Sequence, residues 1–386
     1  NIVHITIFGN TNSGKSSLFN AIINQDIAVV DNLKGTTTDP VHKRIEFINY
    51  GPVLLTDTAG LDDCGKVGQK RIDKTKKMYS RTDFGIICID STLNNYDYDF
   101  ENDLRNFDIK YIKVFTKIDL VAKSKVLKLK ALYDNALFVN TLDEVSVEKL
   151  KKNLISKLDV VKNKSIIGKH LNANDNVVLV IPIDSEAPTN RLILPQVQVI
   201  RDLLDYKVNV TITNEIQLEE MLSKIGDVKL VITDSQAFHK IKDIVNKDIY
   251  LTSFSILFAH FKANLNNFSL FLPHKVRKVL ICESCSHNIS HEDIGRVKIP
   301  KLLKKRYGNI TIEHIMGNDF KDNLEGYDLI VHCGSCMLND TVMKYRVNLA
   351  KERGIPFINY GLYLAIESDI LARSIRFFVD NNIVKY

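Results

Sequence analysis

The sequence predicts an α/β protein built from three consecutive α/β domains, the first of which has a mostly parallel sheet. The length of 386 residues leaves room for two or three domains. Short apolar runs alternate with amphipathic stretches along most of the chain, which is typical of strands covered by helices. The predicted domains are residues 1–163, 172–264 and 268–386.

Composition and charge exclude several classes of protein. The 52 basic and 46 acidic residues give a net charge of +6 without a block of like charges, so no nucleic-acid partner is expected. The apolar stretches are strand-sized and far shorter than the roughly 18 residues of a membrane span. The sequence begins with a predicted strand, so we expect no secretory leader, and six cysteines are too few for a disulfide scaffold. We therefore expect a cytoplasmic protein that contacts no membrane.

Apolar runs place the strands of each domain. In the first domain they are VHITIF, VLLTDT, FGIICID, YIKVFTK and ALFVN. In the second they are VVLVIPI, VNVTIT, VKLVIT and IYLTS, with helices predicted at residues 196–204, 215–224 and 237–245. In the third, KVLICESC and YDLIVHCGSC each run from a buried strand directly into a CxxC pair.

The first strand leads into a phosphate-binding motif. Residues 9–16 read GNTNSGKS, which fits GxxxxGK[ST] between a strand and a helix. Backbone N–H groups of such a loop cradle phosphates, Lys15 neutralises the β and γ phosphates, and the Ser16 hydroxyl holds magnesium. The predicted nucleotide-binding residues of this loop are Asn10, Thr11, Asn12, Ser13, Gly14, Lys15, Ser16 and Ser17.

Three further segments fit a guanine nucleotide site. Thr37, within GTTTD, can offer a hydroxyl to magnesium. Asp57 can bind magnesium through water, and the N–H of Gly60 can sense the γ-phosphate. The segment Thr116-Lys117-Ile118-Asp119 can read the base, since a carboxylate accepts two hydrogen bonds from guanine that adenine cannot supply. Lys15, Asn12, Thr37 and Gly60 are the predicted catalytic residues.

With these motifs the first domain resembles a Ras-like P-loop GTPase of the translation-factor class. Thr116 stands where that class has the asparagine of NKxD, so this sequence departs from the class at one base-contacting position. Asn12 and the GTTxD pattern are similar to the group that includes the tRNA-modifying GTPase MnmE, in which the matching asparagine helps to bind potassium. Leu61 stands in place of the water-orienting glutamine, so the resemblance implies slow hydrolysis stimulated by potassium.

The two CxxC pairs allow two interpretations. Cys282, Cys285, Cys333 and Cys336 could hold structural zinc, but residues 286–332 between the pairs far exceed the roughly 15–20 residues of a zinc ribbon. The alternative pattern CxH…HCxxC supplies three thiolates to a 4Fe-4S cluster and leaves the fourth iron to a weaker ligand. Both cysteine groups follow strand ends, where open α/β sheets place their ligands. Cys282 lies outside this second pattern and reads as a buried thiol.

A GTPase domain followed by an α/β unit and CxH…HCxxC resembles the HydF family of FeFe-hydrogenase maturation GTPases, over essentially the whole chain. The resemblance implies a homodimeric scaffold that binds a 4Fe-4S cluster and carries the diiron precursor of the H-cluster. Its partners would be the radical-SAM maturases HydE and HydG and the apo-hydrogenase. The matching cluster cysteines are Cys285, Cys333 and Cys336, with His287 or His332 as a candidate fourth ligand.

Two other functions stay open at this point. An RNA- or ribosome-associated GTPase with a zinc-stabilised C-terminal domain would fit the MnmE-like loops, although the sequence has no basic patch with interleaved aromatic residues. A redox enzyme would fit the cluster, but no motif for a second cofactor is present. The middle domain has no set of titratable residues that indicates an active site, and the resemblance assigns it to dimerisation.

Overall fold

The structure, a computed structural model, describes most of the chain. The described residues are 2–23, 29–33, 41–47, 50–58, 78–79, 81–93, 99–162, 164–183, 192–284, 293–317, 320, 324–335 and 338–385. The chain divides into two compact units, Asn1–Lys164 and Ser165–Tyr386. The predicted α/β class is confirmed in both.

The first unit contains one sheet, with strand order β2-β3-β4-β1-β5-β6-β7 in the described residues. The pairs β2/β3 and β3/β4 are antiparallel, and every other pair is parallel. The strands are β1 Val3–Phe8, β2 Val29–Leu33, β3 Val41–Phe47, β4 Gly51–Asp57, β5 Phe84–Asp90, β6 Lys110–Thr116 and β7 Leu137–Phe138. The helices are α1 Lys15–Ile23, α2 Asp99–Asn106, α3 Lys123–Leu132 and α4 Glu144–Lys162.

The middle of this sheet is buried on both faces, which is why its strands are continuous apolar runs. Every residue of β5 is buried. One face packs against α1 and α4 and the other against α2, each with its own apolar cluster. Because β1, β4, β5 and β6 are parallel, their carboxyl ends meet at one edge of the sheet, where the predicted nucleotide motifs begin.

The second unit contains two parallel sheets in its described residues, with strand orders β11-β10-β8-β9 and β13-β12-β14-β15. The strands are β8 Asn176–Val180, β9 Asn209–Thr213, β10 Leu230–Thr233, β11 Tyr250–Ser253, β12 Lys278–Glu283, β13 Thr311–Met316, β14 Leu329–His332 and β15 Phe357–Asn359. The helices are α5 Leu194–Asp205, α6 Leu218–Ile225, α7 Phe238–Ile241, α8 Phe254–Ala263, α9 Ile299–Tyr307, α10 Asp340–Glu352, α11 Tyr360–Glu367 and α12 Leu371–Asp380.

One continuous apolar core joins these two sheets. The last helix, α12, packs against β11, and the ring of Phe377 meets that of Tyr250 edge to face at a centroid distance of 5.3 Å. The hydroxyl of Tyr250 donates to Asp380 Oδ2 at 3.0 Å. The second and third predicted domains thus share one compact unit, and their border near residue 266 stays a sequence prediction.

Two helices of the second unit differ from the sequence prediction. The helix expected at 237–245 is a single turn, Phe238–Ile241, because the carbonyls of Lys242 and Val245 accept hydrogen bonds from Arg373 instead of continuing the helix. The helix expected from residue 215 begins at Leu218. Before it, the Asn214 side chain accepts from the N–H groups of residues 216 and 217 and forms a turn.

The sequence also left strands unassigned. The half-exposed edge strand β13 lies where only helices were expected, and β2 and β3 form an antiparallel extension of the first sheet. Among the described residues, the helices fall short of the length and apolar character that crossing a lipid bilayer requires.

Candidate functional site

The loop Gly9–Gly14 joins β1 to α1 with an unusual backbone. Its φ angles are positive at Gly9 (151°), Asn12 (63°) and Gly14 (91°). A Cβ atom on Gly9 would collide with the carbonyl of Cys88, so this position requires glycine. Asparagine tolerates the left-handed region better than most residues. A loop that turns in this way before a helix N-terminus has the form that phosphate binding requires.

Lys15 folds back over this loop. It is 4% exposed, and its ammonium group donates to the carbonyl oxygens of Gly9 at 2.6 Å and Asn10 at 2.8 Å. The positive charge is thereby held at the centre of the loop, where it can meet phosphate oxygens. Other predicted residues of the loop and of the first turn of α1 are exposed: Asn10, Thr11, Asn12, Ser16 and Ser17.

The carbonyl oxygen of Ser13 accepts hydrogen bonds from two buried side chains. The hydroxyl of Thr116 lies 2.6 Å away and the thiol of Cys88 lies 3.1 Å away. Burial raises the pKa of Cys88 to about 11, so the thiol keeps its proton and remains a donor. Gly14 allows the close approach, since a Cβ there would lie 3.0 Å from the hydroxyl oxygen of Thr116. Thr116, predicted to bind the nucleotide, thus ties the end of β6 to the phosphate loop.

Lys117 makes a second connection between the same two segments. Its ammonium group donates to the carbonyl of Asn12 at 2.6 Å and forms an ion pair with Asp90 at 2.7 Å. Burial acts to raise the pKa of Asp90, but hydrogen bonds from Lys117 and Thr92 outweigh it, and the pKa lies below its ordinary value. Two residues further on, Asp119 is exposed in a short 3₁₀ turn, where its carboxylate is accessible to a base.

The remaining nucleotide residues are only partly described. Asp57 ends β4, is 4% exposed and lies beside Ile7 of β1. The neighbouring hydroxyl of Thr58 donates to the Ile7 carbonyl at 2.7 Å, which fixes this strand end against the phosphate loop. Thr37 and Gly60 lie outside the described residues.

Two candidate groups of the cysteine site lie at the carboxyl edge of the third sheet. Cys333 follows β14, and its N–H donates to the carbonyl of Cys282 on the neighbouring strand β12 at 2.9 Å. The sulfur of Cys333 accepts from the N–H of Ser284 at 3.2 Å and lies 2.9 Å from the Ser284 hydroxyl. Cys282 is fully buried, and burial raises its pKa. Cys285, His287 and Cys336 lie outside the described residues.

His332 is fully buried beneath Cys333. Its Nε2 accepts from Arg346 at 2.7 Å, and its Nδ1 lies 3.0 Å from the carbonyl of Cys333. Because arginine only donates, the ring proton is on Nδ1. Burial, with the charge of Arg346 as the next cause, lowers the pKa of His332 to about 3, so the ring is neutral. In this arrangement both ring nitrogens are engaged by the protein.

No group of three or more histidine, cysteine or acidic side chains suited to a metal occurs within the described ranges. The predicted set of three cysteines could not be found by this search, because Cys285 and Cys336 lie outside the described residues. The described part does fit a sulfur ligand, because donors to a thiolate stabilise it and Ser284 supplies them. The sequence did not predict the contacts of Ser284 with Cys333, of Arg346 with His332 or of Cys88 with Ser13. Of these residues, only Ser284 stands next to a predicted ligand in sequence, Cys285.

Comparison with protein families finds three matches along the chain. Residues 4–117 match the model for 50S ribosome-binding GTPases. Residues 166–263 match the hydrogen maturase F dimerization domain, and residues 272–377 match the hydrogen maturase F tetramerization domain. The two hydrogen maturase F matches together take up more than half of the chain.

The similar curated proteins include tRNA modification GTPases. The tRNA modification GTPase MnmE of Ehrlichia canis (strain Jake) is 33% identical over 129 residues, which is 33% of this chain and 28% of that protein. MnmE of Mycoplasmopsis pulmonis (strain UAB CTIP) is 38% identical over 143 residues, 36% of this chain and 31% of that protein. The chain thus spans about a third of the length of the curated relatives it matches.

Two solved structures have a weak likeness to the chain. The crystal structure of a variant of Aquifex aeolicus Era bound to GDP.AlF4- has a TM-score of 0.32 at 15% identity and covers 59% of this chain and 99% of that chain. The G domain of the T. maritima FeoB iron transporter has a TM-score of 0.29 at 24% identity and covers 40% of this chain and 99% of that chain.

Proposed function

The chain belongs to the hydrogen maturase F family, and on this premise we propose that it is a maturation factor of an FeFe-hydrogenase. In this role it hydrolyses GTP, binds a 4Fe-4S cluster, and assembles or delivers the diiron precursor of the H-cluster to the apo-hydrogenase. The observation that carries the proposal is the combination, in one chain, of a phosphate loop with both hydrogen maturase F domains. Phosphate loops alone occur in many proteins.

The first unit would supply nucleotide binding and hydrolysis. Lys15 would neutralise the phosphates, Ser16 would hold magnesium, and Asp119 would read guanine; the buried ammonium group of Lys15 on the loop and the exposure of Ser16 and Asp119 support these roles. The GTPase family match and the MnmE relatives support this assignment. Asn12 is exposed at the top of the loop, as a residue that helps to bind potassium beside the phosphates must be. Hydrolysis would be slow and stimulated by potassium, and would time partner binding or release.

The third sheet would supply the cluster ligands Cys285, Cys333 and Cys336. A 4Fe-4S cluster provides a site at which an exogenous group can be exchanged when one iron lacks a thiolate. Ser284 supports the proposal, because its N–H and hydroxyl approach the sulfur of Cys333 and would stabilise a thiolate there. His332 is held by Arg346 through Nε2, so it would serve the site by supporting the Cys333 backbone.

A homodimer would form through the second sheet. β9 is an edge strand in that sheet, and it exposes Ile212 to 46%. Edge strands with exposed apolar residues pair with further strands, and the match to a dimerization domain covers this region. The radical-SAM maturases HydE and HydG and the apo-hydrogenase would be the other partners, in the cytoplasm.

Anaerobic iron reconstitution tests the cluster directly. The purified chain is reconstituted, its metals are quantified, and the reduced protein is examined by EPR beside a Cys285→Ala, Cys333→Ala double variant. We expect about four irons per chain and a cubane signal that is absent from the double variant. One zinc per chain without iron would contradict the proposal.

GTP hydrolysis provides an independent test. The rate is measured in potassium and in sodium buffers for the wild type and for Asn12→Ala. Potassium should accelerate the wild type, and the variant should lose that acceleration while it still binds GTP. In a maturation assay, Cys285→Ala should fail to activate the hydrogenase although its GTP hydrolysis survives. Normal maturation by this variant would remove the cluster from the mechanism.

The alternative of an RNA- or ribosome-associated GTPase has weaker support. The MnmE relatives match about a third of the chain and leave the rest of it unexplained. This function predicts stoichiometric zinc and RNA binding that weakens steeply with salt. The metal analysis described above separates the two functions.

A further inference from the structure

Lys262, near the end of α8, is a buried cation outside both candidate sites. Its side chain is 0% exposed. Its ammonium group donates to the carbonyl of Leu338 at 2.5 Å and lies 3.5 Å from Asp340 Oδ1. A buried ammonium is costly unless it is paired and hydrogen-bonded, so its contacts specify where the neighbouring chain must lie.

These contacts reach the segment that follows Cys333. We define the cysteine segment as the described residues Cys333–Ser335 and Leu338–Asn339. Lys262 belongs to the part of the chain that matches the dimerization domain, whereas the cysteine segment belongs to the part that matches the tetramerization domain. The side chain of Lys262 therefore joins the two matched parts of the chain at Leu338, five residues after Cys333.

The cysteine segment is fixed at its other points too. Ser335 has a positive φ of 59°, and its hydroxyl lies 2.8 Å from the sulfur of Met343. Asn339 caps α10 by accepting from the N–H of Val342 at 3.1 Å. The Leu338 carbonyl lies between these two anchors in sequence, and Lys262 is the donor that reaches it from α8.

We propose that Lys262 is a positioning residue that holds the cysteine segment in place through the Leu338 carbonyl. The segment is thereby preformed, and its position is linked to α8, which packs in the core against β11 of the second sheet and against α10 and β15. The relevance of this link to a cluster rests on the proposed function, whereas the link itself concerns only the residues of this chain.

Hydrogen exchange measured by mass spectrometry on the metal-free full chain tests the link. The test variant is Lys262→Met, Asp340→Asn, which removes the ammonium group without leaving the carboxylate charge behind. The matched control is Asp340→Asn, which removes the ion pair and keeps the hydrogen bond to Leu338; the wild type is measured beside both variants, because this control leaves the buried ammonium group without its counter-charge. The reporting amides are those of Leu338, Val342 and Met343, which are hydrogen-bonded at the segment and at the start of α10.

We expect these amides to exchange about tenfold faster in the double variant than in the control, because a hydrogen bond from a charged donor to the segment is lost. Peptides from β8 and β10 should exchange equally in both variants. Equal exchange at the reporting amides would overturn the proposal. A double variant that does not fold would also overturn it, since Lys262 would then support the whole core and not this segment.

The rate at which the iron-reconstituted protein loses iron is a second measurement. After iron reconstitution, a chelator should remove iron about tenfold faster from the double variant than from the control if the preformed segment retains the cluster. Equal rates of iron loss, with faster amide exchange, would limit the role of Lys262 to the metal-free chain and overturn its role at the cluster. Absence of iron from the wild type would refute the proposed function and leave the exchange result intact.

Discussion

Replacement of Thr116 by valine removes one hydroxyl from below the phosphate loop and keeps the shape of the side chain. Thr116 is 1% exposed, and its hydroxyl donates to the Ser13 carbonyl at 2.6 Å. Valine cannot donate, so the carbonyl retains the weaker thiol donor of Cys88 at 3.1 Å. The loop then loses its shortest connection to β6, and its binding conformation should become less favoured.

The size of the effect follows from the hydrogen bond. A neutral hydrogen bond contributes roughly 0.5–1.5 kcal/mol net, and a buried acceptor left without a donor costs about 1–3 kcal/mol. Because the Cys88 thiol offsets part of the loss, we expect about 1 kcal/mol. If this loss destabilises only the loop conformation that binds GTP, the Kd for GTP rises about fivefold.

Titration with a fluorescent GTP analogue in the presence of magnesium measures this change. Thr116→Ser is the matched control, since it keeps the hydroxyl and loses the methyl group, and its Kd should stay within about twofold of wild type. Equal affinity of Thr116→Val and wild type would refute the connection between β6 and the loop. A loss in the serine variant as large as that in the valine variant would assign the effect to packing.

Three further predictions concern charge, association and pH. Lys15→Ala should weaken GTP binding at least about thirtyfold, measured by calorimetry, because a buried cation that meets the phosphates contributes roughly 2–5 kcal/mol; unchanged affinity would contradict its role. Ile212→Lys on the edge strand β9 should shift the protein toward monomer in light scattering, whereas Ile216→Lys, at an 80% exposed position outside any strand, should not. Burial, followed by the charge of His170, lowers the pKa of His260 to about 4. The unfolded chain therefore binds more protons than the folded chain between about pH 6.5 and 4, and the free energy of unfolding should fall as the pH is lowered through this range, by at most about 1.4 kcal/mol per pH unit. In urea unfolding, His260→Gln should make the midpoint depend less on pH.

Strands that are buried on both faces could be predicted from the sequence, and half-exposed ones could not. β5 and β14 are continuous apolar runs because helices cover both faces of their sheets. β13 is an edge strand in which no residue is fully buried, and its sequence TIEHIM carries no comparable signal. The short α7 was overpredicted because its end is decided by Arg373, more than a hundred residues away in sequence.

In the candidate sites, features set by neighbouring residues could be predicted, and contacts between distant residues could not. The phosphate loop could be predicted because its ligands are adjacent in sequence and its glycines answer a local backbone requirement. The donors that support it, such as Thr116 to Ser13, join residues about a hundred positions apart. Arg346 and Lys262 are cations on helices, and nothing in their local sequence indicates that they are buried.

Both units hold a loop that we propose to bind a ligand in the same physical way. In the first, Thr116 and Lys117 donate to backbone carbonyls of the phosphate loop; in the second, Lys262 donates to the carbonyl of Leu338. A carbonyl held from below constrains the backbone and leaves the outward side chains free to meet a ligand. Loss of such a donor should therefore weaken binding by a limited factor without removing any ligand contact. Affinity and iron retention, more than the ability to bind at all, are the quantities in which these residues should show their effect.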